Sequence, residues 1–314
     1  MFNWILENRL FQLAREGKRL TPWWAALPIG SLILLLSWVF SLPVVLAYGI
    51  YSGEHWATLS EQPSFVSGMW QVLLLITSFG GVILLTWLWI RLYERRAFHT
   101  LGFEYGNILQ RYGRGLLIGL LMFSGAVGLM AIFGFLASET SASGHQGLLA
   151  LGGVLIVLPG WVVQGAAEEV LIRGWMMPVL GARYRPWIGV ILSSVFFAVM
   201  HGLNPNLSIL ALVNLFLYGL FAALYALRDG SLWGICALHS VWNWAQGNIF
   251  GLEVSGSETG GGTLLNLMEA GPDWFTGGDF GPEGGLAVSL VLLCGIAVVL
   301  LMKARSKAAC SKSL

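Results

Sequence analysis

The sequence has too few charged residues for a soluble protein of its length. Asp, Glu, Lys and Arg make up 11% of its 314 residues, whereas soluble domains carry roughly 25%. Hydrophobic residues account for 56%, so a water-facing surface cannot be assembled from this chain. The shortage of charge excludes an ordinary soluble domain and predicts an integral membrane protein.

Net charge and cysteine are also scarce. The net charge is +1, so the chain lacks the basic face that a nucleic-acid partner requires. Cys236 and Cys294 lie in apolar segments and Cys310 lies in a basic tail, which favours neither a disulfide framework nor a metal cluster. Residues 1–22 lack the short apolar core and cleavage site of a signal peptide, and we predict an amphipathic helix on the membrane surface there.

Apolar segments long enough to cross a bilayer recur along the whole chain. A helical span needs about 20 apolar residues. The hydropathy pattern predicts eight spans, at 23–50, 69–92, 114–137, 147–181, 186–202, 207–227, 231–250 and 286–302. The predicted fold class is therefore all-α, a polytopic transmembrane helical bundle of about eight spans.

The fourth apolar segment is too long for one straight span. It contains possible breakers at Gly160, Gly165, Gly174, Pro178 and Gly181. Glycine and proline are common causes of bends in membrane helices. We therefore expect this segment to be bent, with a part that is re-entrant or interfacial.

The basic residues give the predicted bundle an orientation. With eight spans and an inner N-terminus, all 17 Lys and Arg residues fall on the same side of the membrane. The outer loops carry acidic residues instead, six of them in the Gly-rich segment 251–285. Because cytoplasmic loops are enriched in Lys and Arg, we predict that both termini are cytoplasmic and that 251–285 is an outer loop.

These features divide the chain into five parts. The parts are a cytoplasmic amphipathic segment (1–22), N-terminal transmembrane helices (23–145), a helical core with buried polar residues (146–250), the Gly-rich acidic outer loop (251–285), and a last span with a basic cytoplasmic tail (286–314). We find no internal repeat, which weakens but does not exclude an inverted-repeat transporter.

The core contains polar side chains in the middle of apolar segments. An ionisable residue in hydrocarbon costs at least about 2.5–3.5 kcal/mol, so each one retained there needs a reason. These residues form three clusters. The first is Glu168, Glu169 and Arg173 in GAAEEVLIRGW, the second is His201 with the apolar Phe197 in FFAVMHG, and the third is His239 and Asn243 in LHSVWNW.

Helical spacing predicts how these side chains are arranged. Glu169 and Arg173 are four residues apart, on one helix face, and can form a buried ion pair. Glu168 is rotated by about 100° from Glu169 and points elsewhere. His239 and Asn243 are again four apart. Glu168, His201 and the pair of His239 and Asn243 lie at similar depths along their helices. We therefore expect them to meet in one chamber that opens toward the cytoplasm.

Each residue taken alone has a structural explanation. A buried Glu and Arg commonly pair, and a membrane His or Asn commonly bonds to a neighbouring helix. A lone Phe is ordinary packing. The coincidence of an unpaired carboxylate, two imidazoles and an amide at one depth favours a hydrolytic site instead.

The three motifs EExxxR, FxxxH and HxxxN, in this order on successive helices, resemble the CPBP family. This family comprises the type II CAAX prenyl endopeptidases and the bacteriocin-processing Abi proteins of bacteria. The motifs span 168–243, about a quarter of the chain, and the loop GGDFGPEGG also resembles loops of prokaryotic members. The resemblance implies a catalytic core over 146–250 and a place in the bacterial plasma membrane. The first three spans match no motif.

The resemblance also implies roles for individual residues. Glu168 would act with His201 as general base on a water molecule. His239 and Asn243 would stabilise the oxyanion of the tetrahedral intermediate. The substrate would be a membrane-embedded or lipidated peptide or protein in the lipid bilayer.

The supporting residues and the cofactor follow from the same resemblance. Glu169, Arg173 and Phe197 would hold the catalytic groups in place. Members of the family were described as metalloproteases because His and Glu can bind zinc. We expect no cofactor, since Asn is a poor zinc ligand and the chain has no HExxH motif, and zinc remains the alternative.

Other intramembrane proteases fit the sequence less well. A rhomboid needs a catalytic Ser opposite a His, but Ser193 and Ser194 share the helix of His201 and have no matching motif. An aspartyl protease needs paired aspartates, which the span interiors lack. A proton-coupled transporter that relays protons through the same His and Glu side chains stays open. So does a proteolytically inactive immunity or binding protein.

Overall fold

The computed structural model describes residues 3–54, 63–139, 145–183 and 185–302, and about three quarters of this part is helical. The α-helices are α1 (Asn3–Leu6), α2 (Arg9–Ala14), α3 (Trp23–Glu54), α4 (Ser64–Trp89), α5 (Ile108–Ile132), α6 (Leu151–Ile156), α7 (Leu158–Glu169), α8 (Met177–Arg183), α9 (Pro186–Met200), α10 (Ile209–Asp229), α11 (Trp233–Trp244), α12 (Asp273–Thr276) and α13 (Leu286–Leu301). Three π-helical segments continue α4, α7 and α11, at Ile90–Glu94, Val170–Met176 and Ala245–Phe250.

Four helices are long and apolar enough to cross a membrane. They are α3, α4 with its π-helical extension, α5 and α10. A fifth candidate is the bent pair formed by Gly147–Ile156 and Leu158–Arg183. Helices α9 and α13 are apolar but have only 15 and 16 residues. The described part is therefore a helical membrane protein with four or five candidate spans, and the count of eight spans with cytoplasmic termini stays a prediction.

The predicted bend in the fourth apolar segment is confirmed. Its two halves meet at an angle of 47°. The break falls at Val157, directly before α7, which has Pro159 in its first turn. Proline has no amide hydrogen to donate to the preceding turn, so it suits the start of a new helix. The bend thus lies at Pro159 and not at the glycines named above.

Helix α11 packs against both α5 and α7 through glycines. A Cβ atom on Gly119 of α5 would lie 2.6 Å from the carbonyl oxygen of Leu238, and one on Gly165 of α7 would lie 2.7 Å from the amide nitrogen of Ser240. Both distances are too short for a side chain, so only glycine permits this approach. Small residues commonly allow such close helix packing in membranes. The contact brings the polar face of α11 against that of α7.

A buried polar network ties the N-terminal helices to the core. Glu94, at the end of the π-helical extension of α4, accepts hydrogen bonds from the Thr21 hydroxyl (2.5 Å) and the Trp175 indole (3.1 Å). Its second oxygen accepts from Arg96 Nε at 2.6 Å. A carboxylate at this depth requires such partners. The network fixes α3 and α4 against the π-helical segment after α7.

The Gly-rich segment 251–285 is a folded cap and not an open loop. Its strand β2 (Leu267–Glu269) pairs antiparallel with β1 (Leu136–Ser138). Two hydrogen bonds from Ser255, through its amide (2.9 Å) and hydroxyl (2.6 Å), converge on the carboxylate of Glu283. The described part is thus all-helical, as predicted, apart from this short two-stranded sheet at one end of the bundle.

The predicted orientation has a direct test. We expect a reporter fused at Gly262 to be active only outside the cytoplasm, and one fused at Leu314 to be active only inside it, because the basic residues lie on one side of the eight-span arrangement. The measurement is the activity of compartment-specific reporters in intact cells. An external C-terminus would contradict the predicted topology.

Candidate active site

One cavity of about 360 Å³ collects the predicted catalytic residues. It lies between α7, α9, α10 and α11, and its walls include Glu168, His201, His239 and Asn243. The motifs that lie on three separate helices therefore converge on a single space. Apolar side chains of α3 and α4 close the opposite wall.

The cavity lies at the end of the bundle that carries the Gly-rich cap. Residues of the cap, among them Ser255 and Glu283, line it. Helix α9 begins at Pro186 beside basic residues, and His201 follows its last turn, about 22 Å away at about 1.5 Å per residue. If the basic end is cytoplasmic, the cavity lies in the outer half of the bundle. The expected opening toward the cytoplasm is therefore inconsistent with the predicted orientation.

Glu169 is the centre of a fully buried network. Its Oε1 accepts hydrogen bonds from Arg173 Nη1 at 3.0 Å and from His239 Nδ1 at 2.8 Å. The ion pair between Glu169 and Arg173 is thus confirmed. A carboxylate only accepts, so Nδ1 of His239 carries the hydrogen. Glu169 therefore also orients the His239 ring, a contact that the sequence reasoning missed.

Phe197 joins the two motif histidines to the same network. The guanidinium carbon of Arg173 lies 4.5 Å from the centre of its ring. The ring centres of His201 and His239 lie 4.8 and 6.2 Å away. A cation above an aromatic face is attracted to it, most strongly without water. The aromatic residue of FxxxH thus packs between the ion pair and both imidazoles.

Glu168 has one oxygen bonded and one free. Oε1 accepts a hydrogen bond from Gln164 Nε2 at 2.8 Å, while Oε2 is buried and has no hydrogen-bond partner. Nε2 of His239 is 3.9 Å from Oε2, too far for a direct hydrogen bond. The imidazole beside Glu168 is therefore that of His239. No hydrogen bond joins Glu168 and His201, although both line the cavity.

His201 is oriented by its own helix. Its Nδ1 lies 2.8 Å from the carbonyl oxygen of Phe197, four residues earlier. A carbonyl only accepts, so Nδ1 carries the hydrogen. In the neutral ring the other nitrogen, Nε2, is then an acceptor.

Gln164 is a polar residue of the site that the sequence reasoning missed. Its Nε2 donates to Glu168, and its Oε1 accepts from Asn243 Nδ2 at 2.8 Å. It lies four residues before Glu168 on the same face of α7, so its polarity in an apolar segment was the signal that could have revealed it. Gln164 connects the first motif to the third.

The donor groups do not form a three-ligand metal site. Among the described residues, no three His, Cys, Asp or Glu side chains are grouped in a way that could hold a metal ion. Protein zinc sites use three or four such ligands. Cys236 is buried and Cys294 is exposed on α13, while Cys310 lies outside the described residues.

The two buried serines of α9 are bound to their own helix. The hydroxyls of Ser193 and Ser194 both donate to the carbonyl oxygen of Val190, at 3.1 and 2.7 Å. A hydroxyl that back-bonds in this way satisfies its own buried polarity. Their arrangement gives no support to a serine nucleophile paired with His201.

Comparisons with known proteins concern the same core. Residues 150–245 match the sequence model of a family described as type II CAAX prenyl endopeptidase, Rce1-like. A 24.3 kDa protein of Escherichia coli, described as uncharacterized, is 35% identical over 81 residues, which is 25% of this chain and 36% of the relative. The chain thus spans about a third of that relative's length. No solved structure matches the chain. The matched segment contains every catalytic residue predicted above, so the core of this chain is similar to the Rce1-like proteins of the CPBP family.

Proposed function

We propose that the protein is an intramembrane endopeptidase that hydrolyses peptide bonds of a membrane-embedded or lipidated substrate. The observation that carries this proposal is the free, buried oxygen of Glu168 in a cavity that also holds His201, His239 and Asn243. A buried carboxylate oxygen without a partner is costly, so its retention calls for a functional reason.

Glu168 and His201 serve as the base in the proposed reaction. Both residues line the cavity, and each has an acceptor atom, the unbonded Oε2 of Glu168 and the Nε2 of neutral His201. A water oxygen forms the new bond to the carbonyl carbon while its proton passes to Glu168. The C–N bond then breaks, and the proton is delivered to the leaving amine.

His239 and Asn243 stabilise the oxyanion. Glu169 accepts from Nδ1 of His239, and Glu168 lies near Nε2, and in the proposed reaction the ring carries a hydrogen on both nitrogens. In that form Nε2 is a donor. Asn243 uses one amide hydrogen on Gln164 and keeps the second for the substrate. Two donors one helical turn apart suit one developing charge.

A cleavage assay with purified protein in detergent tests the proposal. The substrates are a lipidated peptide and the same peptide without its lipid, and we expect fragments from the lipidated form. Proton uptake by vesicles without any cleavage would favour a transporter. The absence of both activities would favour an inactive binding protein.

The metal-free mechanism is tested in the same assay. Cleavage that is lost to a chelator and restored by zinc, with stoichiometric zinc in the active protein, would overturn it.

Asn243 provides a kinetic test of the oxyanion assignment. Because its contact strengthens only in the transition state, Asn243→Ala should lower kcat by about 10²–10³-fold with little change in KM. Asn243→Asp replaces a donor by an acceptor and should be at least as damaging. Steady-state kinetics measures both values. Wild-type kcat in Asn243→Asp would remove Asn243 from the mechanism.

Gln164 separates a direct role of Asn243 from an indirect one. If Asn243 acts only by holding Gln164, the double variant Asn243→Ala/Gln164→Ala should be no slower than the slower single variant. If Asn243 also contacts the oxyanion, the double variant should lose more than either. The comparison uses the same assay and the same substrate.

A further inference from the structure

A second, larger cavity lies at the opposite end of the bundle. It is an open groove of about 1020 Å³ between α5, α10, α13 and the N-terminal helices, and it shares no lining residue with the active-site cavity. It lies at the end where α5 begins and α10 ends, which the orientation rule assigns to the cytoplasm. The proposed protease reaction does not use this groove.

The rim of the groove carries an excess of positive charge. Four arginines line it, Arg9, Arg111, Arg114 and Arg228, against the acidic residues Glu7 and Asp229. Arg114 pairs with Asp229, and Arg9 pairs with Glu104 at 2.7 Å. Among the described residues, Arg111 and Arg228 form no ion pair within 4.0 Å, and Glu104 acts on Arg111 only at longer range.

Arg228 is held in place but not neutralised. Its guanidinium carbon lies 5.0 Å from the centre of the Trp4 ring, which covers one face. Its Nη2 is buried and has no hydrogen-bond partner. A guanidinium donates in its own plane, in a fork that matches the oxygens of a phosphate. The stacked and unbonded group is therefore preorganised for an anionic acceptor.

Below the rim the groove is apolar. Ile118, Leu121 and Met122 of α5 face Val291 and Val298 of α13. From the rim at Arg111 to the far end at Gly125 there are 14 residues, which is about 21 Å along a helix. The hydrocarbon core of a bilayer is about 30 Å thick, so this length covers one leaflet together with its headgroup region.

We propose that this groove binds an anionic glycerophospholipid. The phosphate lies at Arg111 and Arg228, and an acyl chain lies between α5 and α13. Basic pockets between membrane helices on the cytoplasmic side suit anionic headgroups. A free phosphate would use only the arginine rim, whereas a lipid also covers the apolar wall. The groove binds lipid independently of whether the protein cleaves peptides.

Native mass spectrometry of the full chain in detergent tests the proposal. The probes are phosphatidylglycerol and phosphatidylcholine with the same acyl chains. We expect phosphatidylglycerol to bind more tightly. An arginine near the headgroup is worth about 1 kcal/mol, so Arg111→Gln and Arg228→Gln should each weaken its binding about fivefold, and together about thirtyfold. Equal affinity for the two lipids, or unchanged binding in both variants, would overturn the proposal.

Matched controls distinguish binding in this groove from non-specific electrostatic attraction of the anionic lipid to basic residues. Arg91→Gln removes an exposed charge outside the groove and should leave binding unchanged. An equal loss in this control would indicate a diffuse effect. Arg111→Gln does not touch Trp4, so it remains informative if Arg228→Gln disturbs the N-terminal helices. Displacement of the lipid by millimolar inorganic phosphate would indicate a phosphate site instead.

The apolar wall is tested by filling it. A Cβ atom on Gly125 would meet only Val291 Cγ2, at 4.0 Å, so Gly125→Leu projects into the groove without a backbone clash. This substitution should weaken the binding of both lipids by about tenfold, since it blocks the acyl chain and leaves the arginines unchanged. Gly128 lies on the same helix with open space around it and outside the groove lining, so Gly128→Leu is the control. Wild-type binding in Gly125→Leu would contradict a seated acyl chain.

Discussion

Glu168→Gln should lower kcat for peptide cleavage by about 10⁴-fold while the protein stays folded. The amide cannot take a proton from water, and a positioned general base contributes up to about 10⁴-fold. The fold should survive because the substituted carbonyl oxygen can still accept from Gln164 Nε2, and the replaced Oε2 has no hydrogen-bond partner to lose. Single-turnover cleavage and thermal melting measure the two effects separately.

Glu168→Asp is the control for the base assignment. It keeps a carboxylate but withdraws it by one methylene, so we expect activity between that of wild type and that of the amide. Cleavage at the wild-type rate by Glu168→Gln would show that another group accepts the proton. A large fall in melting temperature with little loss of kcat would instead make Glu168 a structural residue.

The local parts of the site could be predicted from the sequence. The pairing of Glu169 with Arg173 follows from a spacing of four residues, because neighbours on one helix face are fixed by helical geometry. The pair persists even though Arg173 lies in a π-helical segment. Glu168 forms no ion pair with Arg173, but it lies beside the same His239 ring as Glu169, with its Oε2 3.9 Å from Nε2.

The contacts between helices could not be predicted in this way. Glu169 meets His239, and Gln164 meets Asn243, across 70 and 79 residues of sequence. These contacts depend on how closely α7 and α11 approach, which is set by the packing of Gly165 on the α11 backbone. The pattern of one chain indicates which faces are polar but not which polar groups will meet.

The membrane topology was only partly accessible to sequence reasoning. The apolar helices lie where hydropathy predicts them, but α9 and α13 are shorter than ordinary spans. Whether the outer loop 251–285 is ordered could not be decided from the sequence, because strand β2 is stabilised by β1, about 130 residues earlier, and not by its own sequence.

Glu169→Gln should destabilise the protein by about 3–5 kcal/mol, in contrast to the same change at Glu168. The variant leaves Arg173 as a fully buried charge without its carboxylate, and removal of one member of a buried pair has a cost of this size. The Nε of Arg173 already lacks a hydrogen-bond partner, so the guanidinium cannot easily be satisfied elsewhere. Chemical denaturation in detergent measures the loss.

Removal of both charges should restore stability but not activity. Replacing a buried ion pair by groups of similar volume is often close to neutral, so Glu169→Gln/Arg173→Met should recover most of the lost free energy of unfolding. Cleavage should stay low, because Glu169 also accepts from Nδ1 of His239 at 2.8 Å, and the amide replaces this charge-assisted hydrogen bond by a weaker neutral one. Full stability in Glu169→Gln, combined with unfolding in Glu168→Gln, would mean that the two neighbouring glutamates have each other's role.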